Sequence, residues 1–176
     1  MKYFLDTEFH EDGKTIDLIS LAIVAENKQL YVVNSECDFD RIATLDSCAW
    51  LRNNVMPYID IASGITRAEI RQKVLDFTKA DQNIEFYGYY ADYDWVVFCQ
   101  LFGRMIDLPK DYPMYCRDIK QMCADVGNPK LPKQIDTEHH ALADAKWIKA
   151  MYELLTKGDT GPQRNFFLLE EEGQHW

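Results

Sequence analysis

The period of the hydrophobic pattern in the first 33 residues constrains the fold more than any other feature of this sequence. Residues 3–9 alternate between apolar and polar side chains, and the segments 15–24 and 29–33 follow as two more strand-like segments. A period of two is typical of β-strands, whose successive side chains point to opposite faces of a sheet. Tight turns separate these segments, at Asp12-Gly13 and Asn27-Lys28. The pattern therefore predicts a three-stranded antiparallel meander at the start of the fold.

Helical periodicity takes over after the meander and is interrupted by two more strand-like segments. We predict helices over residues 41–53, 66–79, 94–102, 118–124 and 137–155, and strands over 84–89 and 114–117. Thr66 and Glu69 have the spacing of a capping box, and Thr137 is placed to cap the last helix. This order predicts one α/β domain over residues 1–176, with a mixed sheet that starts antiparallel and continues through crossover units. We expect the tail 158–176 to pack on its own domain or to cover a partner subunit.

The net charge bears on the kind of partner that this chain can bind. A formal charge of −10 argues against binding of an extended duplex, because phosphate contacts call for a basic surface. Carboxylates can instead hold divalent cations that face a phosphate group. The charge is therefore compatible with a compact site that takes one strand end.

Cysteine content and hydropathy bear on the compartment of the protein. The five cysteines are odd in number and have no C-x₂-C spacing, which favours buried reduced thiols over disulfides or a zinc cage. No apolar run approaches the roughly 20 residues that span a bilayer. The N-terminus lacks the apolar core of a signal peptide. We therefore expect a cytoplasmic protein.

Two carboxylates on the first predicted strand are the first candidate site residues. Asp6 and Glu8 are two residues apart, so their side chains share one face of the strand. Leu5 and Phe9 beside them are apolar, which places this strand near a core. Like charges on a partly buried face repel each other and lose hydration, so they need a cation or another partner. Oxygen ligands favour Mg²⁺ or Mn²⁺ over Zn²⁺, and the alternative is a solvated pair at a sheet edge.

Two further motifs carry acidic residues at informative positions. Asp94 lies where a predicted strand gives way to a helix, and α/β folds bind ligands at the carboxyl ends of strands. The alternative is that Asp92 or Asp94 only caps that helix. Asp144 lies on an apolar stripe of the last predicted helix, where an acid requires a partner, and His139 precedes the body of that helix. The alternative is a surface histidine pair with an ordinary helix acid.

The three motifs occur in a defined order along the chain: Asp-x-Glu on the first strand, Asp at a strand-to-helix switch, and His-x₄-Asp at the last helix. In this order the chain resembles the DEDDh group of 3′→5′ exonucleases, which have an RNase H-like fold, over about residues 3–155. The closest likeness is to the polyadenylate-specific exoribonuclease AS family, through residues 5–9, 16–20 and 89–97. A Thr-Thr-Gly-like turn follows the first motif in many other members of the group. Residues 9–13 of this chain read Phe-His-Glu-Asp-Gly instead.

The resemblance implies a set of metal ligands and a general base. The implied ligands are Asp6, Glu8, Asp94 and Asp144. Family members have four residues between the histidine and the aspartate of the third motif, which selects His139 over His140 as the base. They also have an aromatic residue directly before the second-motif ligand, which selects Asp94 over Asp92.

The activity that the resemblance implies is hydrolysis of single-stranded RNA, including poly(A), from the 3′ end to nucleoside 5′-monophosphates. Two Mg²⁺ ions roughly 4 Å apart, for which Mn²⁺ can substitute, would assist the reaction, with His139 accepting a proton from the attacking water. A homodimer is also implied. The expected contacts to the terminal nucleotide are the amide of Thr7, stacking by Phe9 and Tyr93, and, by family likeness, Ser20. Core packing is the alternative for the aromatic residues.

Other activities compete with this interpretation. A 3′→5′ DNA exonuclease or an oligoribonuclease uses the same site, and the choice depends on contacts to 2′-hydroxyl groups. A non-catalytic RNase H-like module that binds nucleic acid would lack a ligand, and none is missing. A metal-binding α/β phosphatase leaves the spacing of His139 unexplained.

Overall fold

The computed structural model describes residues 1–157, which form a five-stranded sheet with helices packed on both faces. The strands are β1 (Lys2–Glu11), β2 (Ile16–Val24), β3 (Gln29–Val33), β4 (Glu85–Gly88) and β5 (Arg117–Asp118). The helices are α1 (Phe39–Thr44), α2 (Ala49–Asn54), α3 (Arg67–Thr78), α4 (Asp92–Gln100), α5 (Ile119–Asp125) and α6 (Ala141–Lys157). Short 3₁₀ turns cover Asp46–Cys48, Met56–Tyr58, Ile61–Ser63 and Met105–Asp107. The tail 158–176, for which we predicted packing, lies outside the described residues.

The sheet has the strand order β3-β2-β1-β4-β5, with β1 in the centre. β1 pairs antiparallel with β2 and parallel with β4, while β2 pairs antiparallel with β3 and β4 pairs parallel with β5. The predicted mixed sheet, antiparallel at first and parallel after the crossovers, is confirmed. The carboxyl ends of β1, β4 and β5 therefore meet at one edge of the sheet.

The side chains of β1 alternate between two hydrophobic clusters. Tyr3 and Leu5 pack in the cluster that contains the buried residues of α3 and α4. Phe4 packs in the opposite cluster, with the buried residues of α5 and α6. Because a strand has a period of two, Asp6 and Glu8 have the same parity as Phe4 and face α6. The alternation of β1 thus decides which helix the two carboxylates meet.

The predicted helix over 41–53 is wrong in one respect, because the chain breaks it into α1, a 3₁₀ turn and α2. The backbone is extended at Leu45, with φ −80° and ψ 135°, which ends α1. Arg52 of α2 donates from Nη1 to the carbonyl of Ile42 at 2.9 Å and also to that of Leu45. This side chain satisfies carbonyl groups at the end of α1, so the two short helices fold against each other.

The last helix begins at Ala141 rather than at the predicted Thr137. His139 has a φ of +64°, in the left-handed region that an L-residue does not adopt within a right-handed helix. The carboxylate of Asp144 accepts the amide of His139 at 3.0 Å, which provides a side-chain partner just before the helix. The start of α6 is therefore fixed by a side chain inside the helix, and the predicted cap by Thr137 is wrong.

The connections on the parallel side are close to those predicted. The capping box of Thr66 and Glu69 is present at α3, and Asp118 caps α5 by accepting the amide of Lys120. β5 is shorter than the predicted strand over 114–117, and α4 begins at Asp92. Gly88 ends β4 where a Cβ would lie 2.6 Å from that of Ala91, so only glycine permits this close turn into α4.

The expected reduced thiols are present. Within residues 1–157, which include all five cysteines, every cysteine is free; four are buried, and Cys116 is partly exposed. No helix in this part of the chain combines the length and the apolar character needed to cross a membrane.

Candidate active site

Three of the predicted carboxylates converge in the structure. Asp6 and Glu8 project from one face of β1, and Asp144 projects towards them from the first turn of α6. One oxygen of each residue lies within 4.8 Å of one oxygen of the other two. Asp144 is also bound by the side-chain amide of Gln134, which orients it. The solvated sheet-edge alternative for Asp6 and Glu8 is excluded, because β1 is the central strand and Glu8 is buried.

Asp94 lies beside this cluster and is held by β1. Its Oδ1 accepts the amide of Thr7 at 2.8 Å and the hydroxyl of Thr7 at 2.6 Å. The N-cap of α4 is Ala91, and no side chain caps this helix. The capping alternative is therefore excluded for both aspartates. Asp94 is buried, whereas Asp92 is exposed.

The electrostatics of the cluster are those of acids removed from water. Burial raises the pKa of Asp6 well above its ordinary value, and the charges of Asp94, Asp144 and Glu8 raise it further. Burial, together with the charges of Asp144 and Asp94, raises the pKa of Glu8 to about 8. Burial also raises the pKa of Asp94 to about 6, against the hydrogen bonds from Thr7. The pKa of Asp144 is raised by burial as well.

No salt bridge offsets these charges, although the charges of His139 and His140 act against the burial that raises the pKa of Asp144. Among residues 1–157, no side-chain nitrogen of Lys, Arg or His lies within 4.0 Å of a carboxylate oxygen of this set, whose members are Asp6, Glu8, Asp94 and Asp144. Four acids thus share one site without a salt-bridge partner from these residues. Such a site is expected either to stay partly protonated or to bind a divalent cation.

The two histidines of the third motif have different surroundings. His139 lines a cavity together with Asp6 and Asp144. The ring of His140 instead stacks on Tyr31, with centroids 4.7 Å apart and planes at 26°. Trp50 of α2 approaches His139 edge-on, with centroids 4.8 Å apart and planes at 77°. Both histidine rings are partly buried, and each contacts another aromatic ring. The alternative of a surface histidine pair is therefore excluded.

The cavity beside the carboxylates has a volume of about 430 Å³. Its lining consists of Asp6, Tyr89, Gln134, Glu138, His139, Asp144, Trp147 and Ile148. Tyr89 and Trp147 contact each other with ring centroids 5.4 Å apart and form an aromatic wall. A carboxylate cluster, an imidazole and aromatic rings therefore share one concave site, the usual setting for a small polar ligand.

The four predicted nucleotide contacts are placed differently from one another. Phe9 stacks on Tyr93 with centroids 5.7 Å apart and planes at 16°, and the Tyr93 ring is 49% exposed. Ser20 pairs directly with Glu8 across the sheet but has no exposed surface. The amide of Thr7, which we expected to face the substrate, donates to Asp94 instead. Thr7 thus orients a carboxylate.

Several residues of the site had no signal in the sequence. Gln134 lies in a segment without regular structure, and Trp50 lies on a short helix far from the motifs in the chain. Tyr89 and Trp147 neighbour two motifs, but an aromatic residue near a motif more often packs in a core. Only the folded chain brings these side chains to the carboxylates.

The fold is shared with solved structures of low sequence identity. Pop2p of S. pombe, solved with Mg²⁺ and Mn²⁺ bound, matches with a TM-score of 0.61 at 14% identity, over 89% of this chain and 82% of that chain. An exonuclease I of Methylocaldum szegediense matches with a TM-score of 0.57 at 13% identity, over 90% of this chain and 40% of that one. Cell-death related nuclease 4 matches with a TM-score of 0.51 at 14% identity, over 90% and 64%. These likenesses show an RNase H-like fold, as the sequence predicted.

Sequence similarity to known relatives extends over most of the chain. The 3′-5′ exoribonuclease Rv2179c of Mycobacterium tuberculosis H37Rv is 37% identical over 165 residues, which are 90% of this chain and 95% of the relative. The 3′-5′ exoribonuclease MT2234.1 of the CDC 1551 strain has the same identity and coverage. The model of the 3′-5′ exoribonuclease Rv2179c-like domain matches residues 1–156. The chain therefore belongs to the Rv2179c-like 3′-5′ exoribonuclease family and is a hydrolase of the nuclease class.

Proposed function

We propose that this protein is a 3′→5′ exoribonuclease of the DEDDh subtype that degrades single-stranded RNA to nucleoside 5′-monophosphates with two divalent cations. The observation that carries the proposal is the convergence of Asp6, Glu8 and Asp144 within 4.8 Å, with Asp94 beside them. Family membership supports RNA as the substrate.

The donor set fits a hard divalent cation. All four side chains are carboxylates, and oxygen ligands suit Mg²⁺ and Mn²⁺. The raised pKa values of Asp6 and Glu8 reflect burial first and then repulsion by the neighbouring carboxylates, and a bound cation would favour the charged forms of both. When bound, divalent cations supply positive charge that lowers the pKa of the attacking water and stabilises the leaving 3′-oxygen. The residues that would hold them are Asp6, Glu8, Asp94 and Asp144.

The other residues of the site have separate parts in this proposal. His139 lines the cavity with two of the carboxylates and accepts the proton of the attacking water, since the unperturbed pKa of histidine lies near neutral pH. Thr7 and Gln134 fix the orientation of Asp94 and Asp144 through hydrogen bonds. The stacked pair of Phe9 and Tyr93 offers an aromatic face to the terminal base.

Three finer points belong to the same proposal: poly(A) is the preferred substrate, the protein is a homodimer, and it acts in the cytoplasm. The first two are supported by the sequence resemblance of residues 5–9, 16–20 and 89–97 to the polyadenylate-specific group, and the third by the hydropathy of the sequence. Size-exclusion chromatography with light scattering measures the oligomeric state independently of activity.

One assay tests the proposed activity. Purified protein is incubated with Mg²⁺ and 5′-labelled poly(A), mixed-sequence RNA or single-stranded DNA, with and without EDTA. We expect a ladder of RNA products that shortens from the 3′ end, fastest on poly(A), and that EDTA abolishes. Release of nucleoside 5′-monophosphates, followed by chromatography, identifies the product.

The controls separate this proposal from its rivals. A 3′-phosphorylated RNA tests whether the enzyme requires a free 3′ hydroxyl end. Faster shortening of DNA than of RNA would favour a DNA exonuclease. Binding of RNA without shortening, in protein with all four carboxylates intact, would overturn the proposal in favour of a binding module.

A further inference from the structure

The aromatic wall of the cavity continues onto the surface next to it. Tyr89 lines the cavity, and its ring lies T-shaped against that of Tyr90, with centroids 4.8 Å apart. The Tyr90 side chain is 62% exposed, which makes it one of the most exposed large hydrophobic residues in the described part of the chain. An open aromatic face thus lies one ring away from the carboxylate site.

The backbone holds Tyr90 in this position. Its φ is +54°, in the left-handed region, which costs a non-glycine residue about 1 kcal/mol or more and persists only where the surroundings enforce it. Asp118 provides this enforcement, because it accepts the amide of Ala91 at 3.1 Å and that of Lys120 at 2.6 Å. One carboxylate therefore joins the loop after β4 to the first turn of α5.

The same hydrogen bonds of Asp118 place a positive charge beside the exposed ring. Nζ of Lys120 lies 6.0 Å from the centroid of the Tyr90 ring. Within residues 1–157 this ammonium group has no carboxylate within 4.0 Å, and its hydrogen-bond acceptor is the side chain of Asn128 at 3.5 Å.

The combination of an exposed ring and an adjacent cation matches the chemistry of single-stranded nucleic acid. Bases stack on aromatic side chains with little regard to their identity, and lysine pairs with backbone phosphates. Both residues lie at the carboxyl ends of β4 and β5, the edge that also carries the carboxylates of β1. A strand whose 3′ end occupies the cavity can therefore reach them.

We propose that Tyr90 and Lys120 form a subsite for a nucleotide at least two positions upstream of the 3′-terminal one, in which Tyr90 stacks on the base and Lys120 pairs with a phosphate. This inference rests on the proposed exoribonuclease function and deepens it by assigning the path of the RNA. The strand runs from the cavity across the end of β4 towards the start of α5. Short substrates that end within the cavity do not use this subsite.

The test compares substrates of two lengths in full-length protein. KM and kcat are measured with 5′-labelled oligoadenylates of two and eight nucleotides in Mg²⁺. We expect Tyr90→Ala to raise the KM of the octamer on the order of tenfold more than that of the dimer, the scale of one base stacking on an aromatic ring. Tyr90→Phe keeps the ring and restores the wild-type KM.

The charge of Lys120 is tested separately. Lys120→Gln is expected to reduce the slope of log(kcat/KM) against log salt concentration on the octamer by about 0.7, the value for one phosphate contact to a single strand. The matched control is Lys79→Gln, an exposed lysine that follows α3 near the amino end of β4. This control is expected to leave the slope unchanged.

Three results would overturn the subsite. The first is an equal change of KM on both substrate lengths. The second is an unchanged KM in Tyr90→Ala. The third is dissociation of a dimer by Tyr90→Ala, measured by light scattering, which would assign the surface to a subunit interface.

The failure of the proposed function can be distinguished from the failure of the subsite. Binding of the fluorescent octamer is measured by anisotropy in a His139→Ala background, with and without Tyr90→Ala. If the wild-type protein shortens no RNA but Tyr90→Ala weakens binding of the octamer, the subsite is supported and the exonuclease activity is overturned. Equal binding with and without Tyr90→Ala, in a protein that does shorten RNA, overturns the subsite and supports the exonuclease activity.

Discussion

At the scale of single residues, the site depends on which of two similar neighbours faces the cavity. His139 lines the cavity, whereas His140 stacks on Tyr31. Asp94 is held by Thr7 in the middle of β1, whereas Asp92 is exposed at the start of α4. Each pair provides a variant and its own matched control.

The first prediction concerns the general base. His139→Ala is expected to lower kcat by about 10²- to 10⁴-fold, the usual contribution of a positioned acid–base group. Mn²⁺ affinity should change little, because the ligands are carboxylates. Steady-state kinetics and calorimetric titration with Mn²⁺ measure the two quantities. His140→Ala is the control, and loss of activity in this variant alone would contradict the assignment.

The second prediction concerns the second-motif ligand. Asp94→Asn is expected to weaken Mn²⁺ binding by about tenfold or more, since even residues that only support a metal ligand contribute that much. Asp92→Asn should leave the affinity unchanged. Isothermal titration measures both, and circular dichroism verifies that each variant is folded. Full Mn²⁺ affinity in Asp94→Asn would disprove its role as a ligand.

At the scale of elements, the segment of α1 and α2 does more than cover one end of the sheet. Its buried residues include Ile42 and Val55, which pack on Ile19 and Val33 of the sheet. Trp50 makes a T-shaped contact with the His139 ring while remaining 54% exposed itself. The segment therefore limits the orientations that the imidazole can adopt.

The third prediction follows from this contact. Trp50→Ala is expected to lower kcat by roughly ten- to a hundredfold, because a small displacement of a catalytic group is costly. Trp50→Phe should recover most of the rate, since it keeps an aromatic edge. Mn²⁺ affinity should not change in either variant. Asn53→Ala, an exposed position three residues further along, is the control. An effect on KM alone would mean that Trp50 contacts the substrate instead.

At the scale of the whole molecule, the buried acids make stability depend on pH and on cations. The pKa of Glu8 is raised from 4.5 to about 8 in the folded protein. Between these values the folded state binds more protons than the unfolded state, so the free energy of unfolding falls as pH rises. A divalent cation held by the deprotonated carboxylates, as proposed, would oppose this loss.

The fourth prediction is a pH-dependent effect of metal on thermal stability. In EDTA, Glu8→Gln is expected to become more stable relative to wild type between pH 5.5 and pH 8 by at least about 1.4 kcal/mol, the equivalent of one pKa unit. In wild type, Mn²⁺ should raise Tm more at pH 8 than at pH 5.5. Thermal denaturation at both pH values measures these differences. An identical pH dependence in wild type and Glu8→Gln would contradict the raised pKa.

The local pattern of the sequence was sufficient for much of the fold. The period of two along β1 put Asp6 and Glu8 on one face, and the capping box of Thr66 and Glu69 placed the start of α3. The breaks at Leu45 and His139 were missed, because Arg52 and Asp144 stabilise them through side-chain contacts that no periodicity records.

The site divides in the same way between sequence and tertiary structure. Residue chemistry and strand geometry were enough to identify the candidate ligands, their order and the shared face of Asp6 and Glu8. The approach of Asp144 to these two carboxylates, the hydrogen bonds of Thr7 to Asp94 and the contact of Trp50 with His139 depend on the tertiary structure. Each of these contacts joins segments far apart in the chain. They form only when packing of α2, α4 and α6 against the sheet compensates for the entropy of bringing those segments together.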